Sequence, residues 1–277
     1  MRQGQPEIFA LFGNPVGHSL SPLMHNAAFG KMQFNACYAA FCVENLEIAV
    51  RAVRALNIRG VSVTIPFKVA VLEYLDVVDE DARRIGAVNT IINDGGRLRG
   101  ANTDAPGLVC ALKEAVAIGG KTFVILGAGG TARAAVAGIT KEGGISVIVN
   151  RSAQKGRLLA AEWGCAFHPW EDLGGIKADG LINTTPVGMS PAFDRSPVAP
   201  EILAHFRLVM DVIYNPLQTK LLRDAEKAGC QTLSGVSLFV HQGAEQIRLW
   251  TGQEVPRAFM NDTVLQALEG QARDEGR

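Results

Sequence analysis

The sequence lacks the features that define several classes of protein. Its 27 Lys and Arg are balanced by 27 Asp and Glu, so no positive excess exists to attract nucleic acid or an anionic membrane. Its five cysteines form no Cys-x-x-Cys pair, which argues against zinc and favours a reducing compartment. No apolar run reaches the roughly 20 residues of a membrane span, and Ile8 to Phe12 is too short for a signal-peptide core. We therefore expect a soluble, cytoplasmic protein without a metal, nucleic-acid or membrane partner.

The composition indicates instead a globular protein with sizeable cores. Hydrophobic residues make up 48% of the 277 residues and charged residues 19%. A chain of this length is long for one domain and comfortable for two. Two folding units are therefore expected.

The first hundred residues alternate strand-like runs with helical stretches, which is typical of an α/β domain. Glu44–Leu56 carries apolar residues at helical spacing and predicts an amphipathic helix. Asp94-Gly95-Gly96 predicts a tight turn that folds Val88–Ile92 into a hairpin with Arg97–Arg99. The other strands predicted in this half are Ile8–Phe12, Tyr38–Phe41 and Val61–Ile65.

A second alternation begins at Thr122 and predicts parallel βαβ units. The predicted strands are Thr122–Leu126, Ile145–Val149, Leu181–Ile182, Leu208–Val212 and a short one near Thr232. The predicted helices are Pro106–Ile118, the stretch from the glycine-rich turn to Lys141, Ala153–Trp163, Gln218–Ala228, Gly235–Trp250 and Pro256–Leu268. The polar residues Gly270–Arg277 are expected to fray.

A glycine-rich motif of the form G-x-G-x-x-A joins the first strand of this half to its helix. In such a motif the first glycine allows a tight turn, the second lets backbone amides approach a pyrophosphate, and the small last residue lets the helix pack closely. The helix N-terminus adds oriented N–H groups for the phosphates. A bare glycine cluster is more often an ordinary turn, but this position predicts a dinucleotide site. Its residues are Gly127, Ala128, Gly129, Gly130, Thr131 and Ala132.

The end of the next strand indicates which dinucleotide is bound. An NAD site usually presents an acidic residue about 20 positions after the first glycine. This chain has Asn150, Arg151 and Ser152 there instead, with Lys155 one helical turn further on. The two cations can clamp a 2′-phosphate, which favours NADP(H). The alternative is that Ser152 merely caps a helix and the cations are surface residues.

Polar residues also follow the first strands of the chain. Strict alternation in Val61–Ile65 places Ser62 and Thr64 on one face of the strand, and Lys68 follows shortly after. Alone, a lysine after a strand is more often a solvated residue than a catalyst. Asn102-Thr103-Asp104 has a helix-capping interpretation, because Asp and Thr are favoured at caps.

A loop near the N-terminus is dense in hydrogen-bonding groups. It contains His18, Ser19 and His25, with Ser21 directly before a proline at position 22. Ser21 before a proline fits the cap of a helix. The same groups suit a hydroxylated ligand.

Taken in order, these motifs resemble the shikimate dehydrogenase family along nearly the whole chain. Each motif alone is weak, but their order and spacing leave little room for chance. They are G-x-P-x-x-H-S-x-S-P-x-x-H-N from Gly13, V-T-x-P-x-K from Val63, G-A-V-N-T from Gly86, N-T-D from Asn102, the glycine-rich motif, N-R-S from Asn150, N-T-T-P-V-G-M from Asn183, D-V-I-Y-N-P from Asp211 and Q-G-A from Gln242.

The resemblance implies NADPH-dependent reduction of 3-dehydroshikimate to shikimate, a step of chorismate and aromatic amino acid biosynthesis. It implies an N-terminal α/β substrate domain at 1–105, a Rossmann-type doubly wound parallel-sheet domain at 106–236, and C-terminal helices at 237–277 that pack back on the substrate domain. It assigns the catalytic pair to Lys68 and Asp104. The implied substrate contacts are Ser19, Ser21, Thr64, Asn89, Tyr214 and Gln242. Beyond the glycine-rich motif and the Asn150–Lys155 segment, the implied cofactor contacts are Thr184, Met189, Val212 and Gly235.

Some positions depart from the family pattern. Ser62 stands where many members have Asn, Ala105-Pro106 replaces a glycine, and Leu238-Phe239 replaces Met-Leu. Because Ser62 lacks an amide, Ser62→Asn is expected to lower the KM for shikimate. Two alternatives stay open: a paralogue acting on quinate or another cyclic hydroxy acid, and a non-catalytic nucleotide-sensing protein. The expected partner is a small molecule, and a homodimer is compatible with the sequence.

Overall fold

The computed structural model describes residues 4–190 and 192–275, which form two compact units. The first unit comprises the chain up to Thr103 together with Gln242–Gln266. The second comprises Asp104–His241 and the chain from Ala267 onward. Each unit is built on one six-stranded sheet. The expected α/β class is confirmed, whereas the domain bounds drawn from the sequence stay a prediction, because compactness does not show which part folds alone.

The sheet of the first unit is mixed. Its strands are β1 (Glu7–Gly13), β2 (Ala36–Cys42), β3 (Gly60–Val63), β4 (Val77–Val78), β5 (Thr90–Asp94) and β6 (Arg97–Ala101). The order across the sheet is β2-β1-β3-β5-β6-β4. Strands β1, β2 and β3 run parallel, whereas β5 is antiparallel to both β3 and β6.

The helices of this unit cover the sheet at the predicted places and at two that the sequence analysis missed. They are α1 (Ser21–Lys31), α2 (Leu46–Ala55), a 3-10 helix (Ala70–Tyr74) and α3 (Glu80–Ile85). Asn45 caps α2 by accepting a hydrogen bond from the Ile48 amide at 3.0 Å. The 3-10 helix and α3 were not predicted, because their apolar residues are too few to show a period.

The hairpin between β5 and β6 confirms the predicted turn, although its first strand begins at Thr90 where Val88 was expected and its second strand continues to Ala101. Gly95 and Gly96 have φ of 62° and 97°, and both central residues of a type I′ turn need a positive φ. Asp94 pairs with Arg97 across the turn. The hairpin matters for the site because it brings the start of β5 and the end of β6 to the same edge of the sheet.

The sheet of the second unit is entirely parallel. Its strands are β7 (Thr122–Leu126), β8 (Ile145–Val149), β9 (Ala166–His168), β10 (Gly180–Asn183), β11 (Leu208–Asp211) and β12 (Gln231–Leu233). The order is β12-β11-β10-β7-β8-β9, so the chain winds outward from β7 in one direction and then from β10 in the other. This is the doubly wound arrangement that the sequence predicted, with its switch point between β7 and β10.

Helices flank this sheet and complete the chain. They are α4 (Asp104–Lys113), α5 (Gly130–Lys141), α6 (Ala153–Trp163), a 3-10 helix (Trp170–Gly175), α7 (Pro200–Leu203), α8 (Lys220–Lys227), α9 (Gly235–Thr251) and α10 (Arg257–Glu275). The part of α9 from Gln242 onward and the part of α10 up to Gln266 belong to the first unit. Among the described residues, no helix combines the length and apolar character needed to cross a membrane.

Three details of the prediction are corrected. Ser21 is the first residue of α1 and not its cap, since Leu20 takes that place and no side chain caps the helix. Helix α4 begins at Asp104 and ends at Lys113, several residues before Ile118. Helix α10 continues to Glu275 where fraying was expected, while residues 276–277 of that expectation lie outside the described residues.

Candidate active site

In the first unit, the candidate residues lie at one edge of the sheet. Strands β1 and β3 are parallel, so their carboxyl ends share an edge, and Ser19 and Thr64 lie in the segments that follow them. Antiparallel β5 begins at this edge, directly after Asn89, and β6 ends there, because Thr90 pairs with both Ser62 and Ala101. The topology thus gathers segments that are far apart in sequence.

Gly13 makes the close approach of two of these segments feasible. A Cβ at Gly13 would lie 2.3 Å from Thr64 Cγ2 and 3.1 Å from the Ile65 carbonyl oxygen. The Asn14 amide donates to that same carbonyl at 3.0 Å. The loop after β1, which carries Ser19, therefore packs directly against the turn after β3.

The hydroxyls and the lysine at this edge have different exposures. Ser21 is buried, its hydroxyl oxygen lies 3.1 Å from that of Ser19, and Ser19 is partly exposed. Lys68 is half-buried, and its carbonyl accepts a hydrogen bond from the Val88 amide at 2.7 Å. That bond ties the lysine backbone to the segment just before Asn89.

Asn89 is the centre of a buried hydrogen-bonded cluster. Its Nδ2 donates to Thr103 Oγ1 at 2.9 Å and to Gln242 Oε1 at 3.4 Å. Its Oδ1 accepts from the Thr103 amide at 2.7 Å and from Thr90 Oγ1 at 2.9 Å. The cluster joins two predicted substrate residues and fixes the backbone just before Asp104, which is itself buried.

Three further residues support this cluster, and only one of them was considered in the sequence. Ser62 is buried and accepts a hydrogen bond from Tyr38 Oη at 2.6 Å. Its hydroxyl donates to Gln246 Oε1 at 2.7 Å. The signal for Gln246 was its place four residues after Gln242, which puts both on one face of α9; Tyr38 gave no such signal.

His25 is a core residue and not part of a polar loop. It is fully buried in α1, stacks on Tyr38 with ring centroids 4.1 Å apart, and places Nδ1 2.8 Å from the Ser21 carbonyl oxygen. Because a carbonyl only accepts, Nδ1 carries the proton in this bond. Burial lowers the pKa of His25 to about 4, since the charged form would lose its hydration. His25 is therefore neutral near pH 7.

In the second unit, the candidate cofactor residues follow the strands at their carboxyl ends. Gly127 follows β7, Asn150 follows β8, Thr184 follows β10 and Val212 follows β11. In an all-parallel sheet these ends share one edge, which is the edge where doubly wound sheets bind ligands.

The glycines of the motif have different tasks. Gly127 has φ of +119°, and a Cβ there would lie 2.6 Å from Thr184 Oγ1, which donates to the Leu126 carbonyl. A Cβ at Gly129 would meet nothing within 4 Å in the part of the chain that the structure describes. Ala132 is fully buried beneath the helix start. The backbone at the start of α5 is thus open to a phosphate-sized group, so these residues fit the pyrophosphate of NADP(H).

The cations after β8 are exposed. Neither Arg151 nor Lys155 forms an ion pair with a carboxylate of residues 4–190 or 192–275. Asn150 Nδ2 donates to the Ser152 carbonyl at 2.9 Å, which folds the backbone between them. Ser152 stands at the cap position of α6, but its side chain makes no capping bond. The geometry leaves both cations available to an anion.

Asn183 and Asp211 hold the loops that follow β10 and β11. Asp211 is fully buried and accepts from Asn183 Nδ2 at 3.0 Å, from Thr219 Oγ1 at 2.8 Å and from the Ile213 amide at 3.1 Å. Burial is the largest influence and raises the pKa of Asp211 to about 6. Neither residue was assigned a role from its sequence motif, although the loops that they hold carry Thr184, Met189 and Val212.

The remaining candidates and departures lie in packed surroundings. Tyr214 stacks on Phe239 with ring centroids 4.1 Å apart, so the unusual phenylalanine orients a predicted substrate residue. A Cβ at Gly235 would lie 2.3 Å from the Val212 carbonyl oxygen. Leu238 belongs to the core of the second unit. We find no structural reason for Ala105-Pro106 in place of glycine.

The fold and this site define a dinucleotide-binding Rossmann unit combined with a second α/β unit. Sequence profiles match two parts of the chain: the shikimate dehydrogenase substrate binding domain at residues 11–91 and the shikimate 5'-dehydrogenase C-terminal domain at residues 235–265. A curated relative named shikimate dehydrogenase (NADP(+)), from Methanothermobacter thermautotrophicus, is 44% identical over 97% of this chain and 99% of its own.

Solved structures of the same family resemble this chain along nearly its whole length. Shikimate 5-dehydrogenase from Thermus thermophilus, in complex with NADP(H) and shikimate, is 37% identical with a TM-score of 0.86 and covers 95% of this chain and 100% of its own. Quinate dehydrogenase from Corynebacterium glutamicum, in complex with NAD, is 28% identical with a TM-score of 0.86 over 95% of this chain and 99% of its own. The chain belongs to the shikimate dehydrogenase family.

Proposed function

We propose that this chain is an NADP-dependent oxidoreductase that reversibly reduces 3-dehydroshikimate to shikimate. The observation that carries the proposal is the buried Asn89 cluster at the sheet edge that also carries Thr64 and Lys68. Its amide and hydroxyl groups suit a small polyhydroxylated ring, and the family supplies the identity of that ring. The high identity to relatives named for this activity supports the same conclusion.

The reaction needs a hydride donor and a proton donor at one carbonyl. NADPH, when bound, supplies the hydride to the carbonyl carbon. Lys68 stabilises the negative charge that develops on the oxygen and delivers a proton to it. Asp104, the second member of the catalytic pair that the family resemblance implies, accepts a hydrogen bond from a ring hydroxyl. In the reverse direction Lys68 takes the hydroxyl proton back.

The remaining residues bind and orient. Ser19, Ser21 and Thr64 supply hydroxyls to the substrate, and Asn89 and Gln242 supply amides; Tyr214 contributes its phenol. The amides at the start of α5 would hold the pyrophosphate, and Arg151 with Lys155 would hold the 2′-phosphate. Thr184, Met189, Val212 and Gly235 would contact the bound cofactor.

A quinate-active paralogue is the second candidate. The likeness to quinate dehydrogenase, 28% identical at a TM-score of 0.86, is the observation that favours it. Ser21 weighs against it, because quinate-active members of the family often have threonine there. A homodimer and a cytoplasmic location stay predictions.

One assay separates these functions. Purified protein is mixed with NADPH and 3-dehydroshikimate, and the loss of reduced-nicotinamide absorbance is followed; the reverse reaction is run with shikimate and with quinate. The proposal expects turnover with shikimate at a higher kcat/KM than with quinate. A preference for quinate would establish the paralogue, and NADP(H) binding without turnover of any of these compounds would establish a sensing protein.

A further inference from the structure

We propose that Tyr38, Ser62 and Gln246 are positioning residues that fix the substrate-binding amides of Asn89 and Gln242. The inference rests on the proposed function, because Asn89 and Gln242 are assigned to the substrate there. None of the three touches substrate in this proposal. They act through a chain of hydrogen bonds that has a single direction.

The direction of the chain follows from which groups can donate. Tyr38 Oη donates to Ser62 Oγ at 2.6 Å, so the Ser62 proton is free to go to Gln246 Oε1 at 2.7 Å. Gln246 Nε2 then donates to the Asn89 carbonyl at 3.0 Å and to Thr90 Oγ1 at 3.1 Å. With its acceptor and both donors in use, the Gln246 amide has one orientation.

The chain ends on the side chain of Asn89 as well as on its backbone. Thr90 Oγ1, which accepts from Gln246, donates in turn to Asn89 Oδ1 at 2.9 Å. Asn89 Oδ1 is thereby committed as an acceptor, and Nδ2 is turned toward Thr103 and Gln242. The Nδ2 to Gln242 Oε1 distance of 3.4 Å is the longest link, so this is the bond that substrate hydroxyls compete for most readily.

Burial makes the chain sensitive to the loss of any member. Tyr38, Ser62, Asn89 and Gln246 are exposed by 2%, 5%, 2% and 1%. Removing one partner leaves a buried polar group unpaired, and that costs more than the bond itself contributed. If Gln246 moves to replace a lost hydrogen bond, it gives up its own hydrogen bond to Asn89.

These hydrogen bonds reverse the expected effect of substituting Ser62. From the sequence alone, Ser62→Asn is expected to add an amide for the substrate and to lower the KM for shikimate. In the structure the Ser62 oxygen is already paired with Tyr38 and Gln246, and its surroundings are closed. An asparagine displaces one of these partners, so Ser62→Asn raises the KM for shikimate.

The decisive comparison is Ser62→Thr against Ser62→Val. The two side chains have the same shape, and only threonine keeps the hydroxyl, so their difference isolates the hydrogen bonds from the packing. From the loss of one or two buried bonds, the KM for shikimate of Ser62→Val is expected to exceed that of Ser62→Thr by about tenfold. The KM for NADP stays equal in both.

Tyr38→Phe tests the first hydrogen bond of the series, which runs from Tyr38 to Ser62. It keeps the ring that stacks on His25 and removes only the hydroxyl, so a rise in KM for shikimate of about threefold is expected while the KM for NADP stays unchanged. Tyr74→Phe is the matched control, because Tyr74 lies in the same unit and outside the chain.

The outcomes separate this inference from the proposed function. A wild-type enzyme without shikimate turnover defeats the proposed function and this inference with it. An active wild type for which Ser62→Val and Ser62→Thr share one KM, or for which Ser62→Asn lowers KM, overturns the positioning chain alone. Equal rises in KM for shikimate and for NADP would show a merely structural role and overturn it too.

Discussion

The proposed binding groups of the two units are held in opposite ways. The first unit uses side chains that are buried and hydrogen-bonded to one another, with Asn89 held by Thr90, Thr103 and Gln246. The second unit uses backbone at a glycine-rich turn and cations that extend from the surface, such as Arg151. The difference follows from the ligands: a small ring with several hydroxyls needs fixed directions, whereas phosphates need accessible N–H groups and charge.

This contrast predicts how each unit responds to substitution. In the first unit, removing a polar atom disturbs its buried partners, so effects on substrate binding spread along the cluster. In the second unit, adding atoms at a glycine or removing an exposed cation acts locally.

Lys68→Ala is expected to have the largest effect. General acid catalysis is typically worth 10²- to 10⁴-fold, so kcat should fall by about that factor while the affinity for NADP(H) stays unchanged. Lys68→Arg separates charge from proton delivery, because arginine keeps the charge and does not release a proton at neutral pH. Asp104→Asn should resemble Lys68→Ala. Steady-state kinetics and NADPH binding check this, and a near-normal kcat for Lys68→Ala would remove the residue from the mechanism.

A pair of glycine substitutions tests the backbone side of the comparison. In Gly129→Ala the new Cβ meets no described protein atom within 4 Å, so the fold should keep its melting temperature while NADP affinity falls by about a hundredfold. In Gly127→Ala the new Cβ meets Thr184 at a φ of +119°, so stability should fall as well. Melting temperature and NADPH titration separate the two. Equal stability losses would show that Gly129 is a turn residue only.

Arg151→Ala should erase much of a preference for NADP over NAD. A charge-assisted hydrogen bond to a 2′-phosphate is worth about 1.5 to 3 kcal/mol, so NADP affinity should fall roughly ten- to a hundredfold. NAD lacks that phosphate and should lose little. Lys155→Ala should have a smaller effect, since lysine is a flexible point charge. Arg157→Ala is the control, because Arg157 lies on the same helix as Lys155. The value of kcat/KM is measured for both cofactors at one salt concentration. A wild type that prefers NAD would contradict the assignment.

The same contrast explains what could be predicted from the sequence. Strands β7 and β8 and helix α6 have the predicted bounds, because buried parallel strands and amphipathic helices leave local signals. The glycine-rich turn was found for the same reason. The hydrogen bonds from Tyr38 through Ser62 and Gln246 to Asn89 were not found, since the sheet and the packing of α9 bring these residues together from positions far apart in sequence. His25 was interpreted as a loop residue because a buried histidine has no periodic signal of its own.

Two buried ionisable residues give the last prediction, one in each unit and of opposite sign. His25 has a pKa of about 4 in the folded chain against 6.5 when unfolded, so the unfolded chain takes up the proton first and stability falls as the pH drops below 6.5. Asp211 has a pKa of about 6 against 3.8, so the folded chain keeps a proton that the unfolded chain loses, and stability falls as the pH rises from 3.8 toward 6.

The contributions of His25 and Asp211 to the free energy of unfolding are compared between pH 7 and pH 5. When the pH falls from 7 to 5, protonation of His25 should lower the free energy of unfolding by about 2 kcal/mol, and Asp211 should raise it by about 1 kcal/mol, by linkage from these pKa values. The free energy of unfolding in urea is measured at both pH values for the wild type, His25→Gln and Asp211→Asn. His25→Gln should become more stable in acid relative to its value at pH 7, because only the aspartate contribution remains. Asp211→Asn should lose more stability on acidification than the wild type, because it lacks the carboxyl that stabilises the folded chain at low pH. If Asp211→Asn and the wild type have the same pH dependence, the carboxyl titrates alike in the folded and unfolded chain, and the buried acid of the second unit is no counterpart to the buried base of the first.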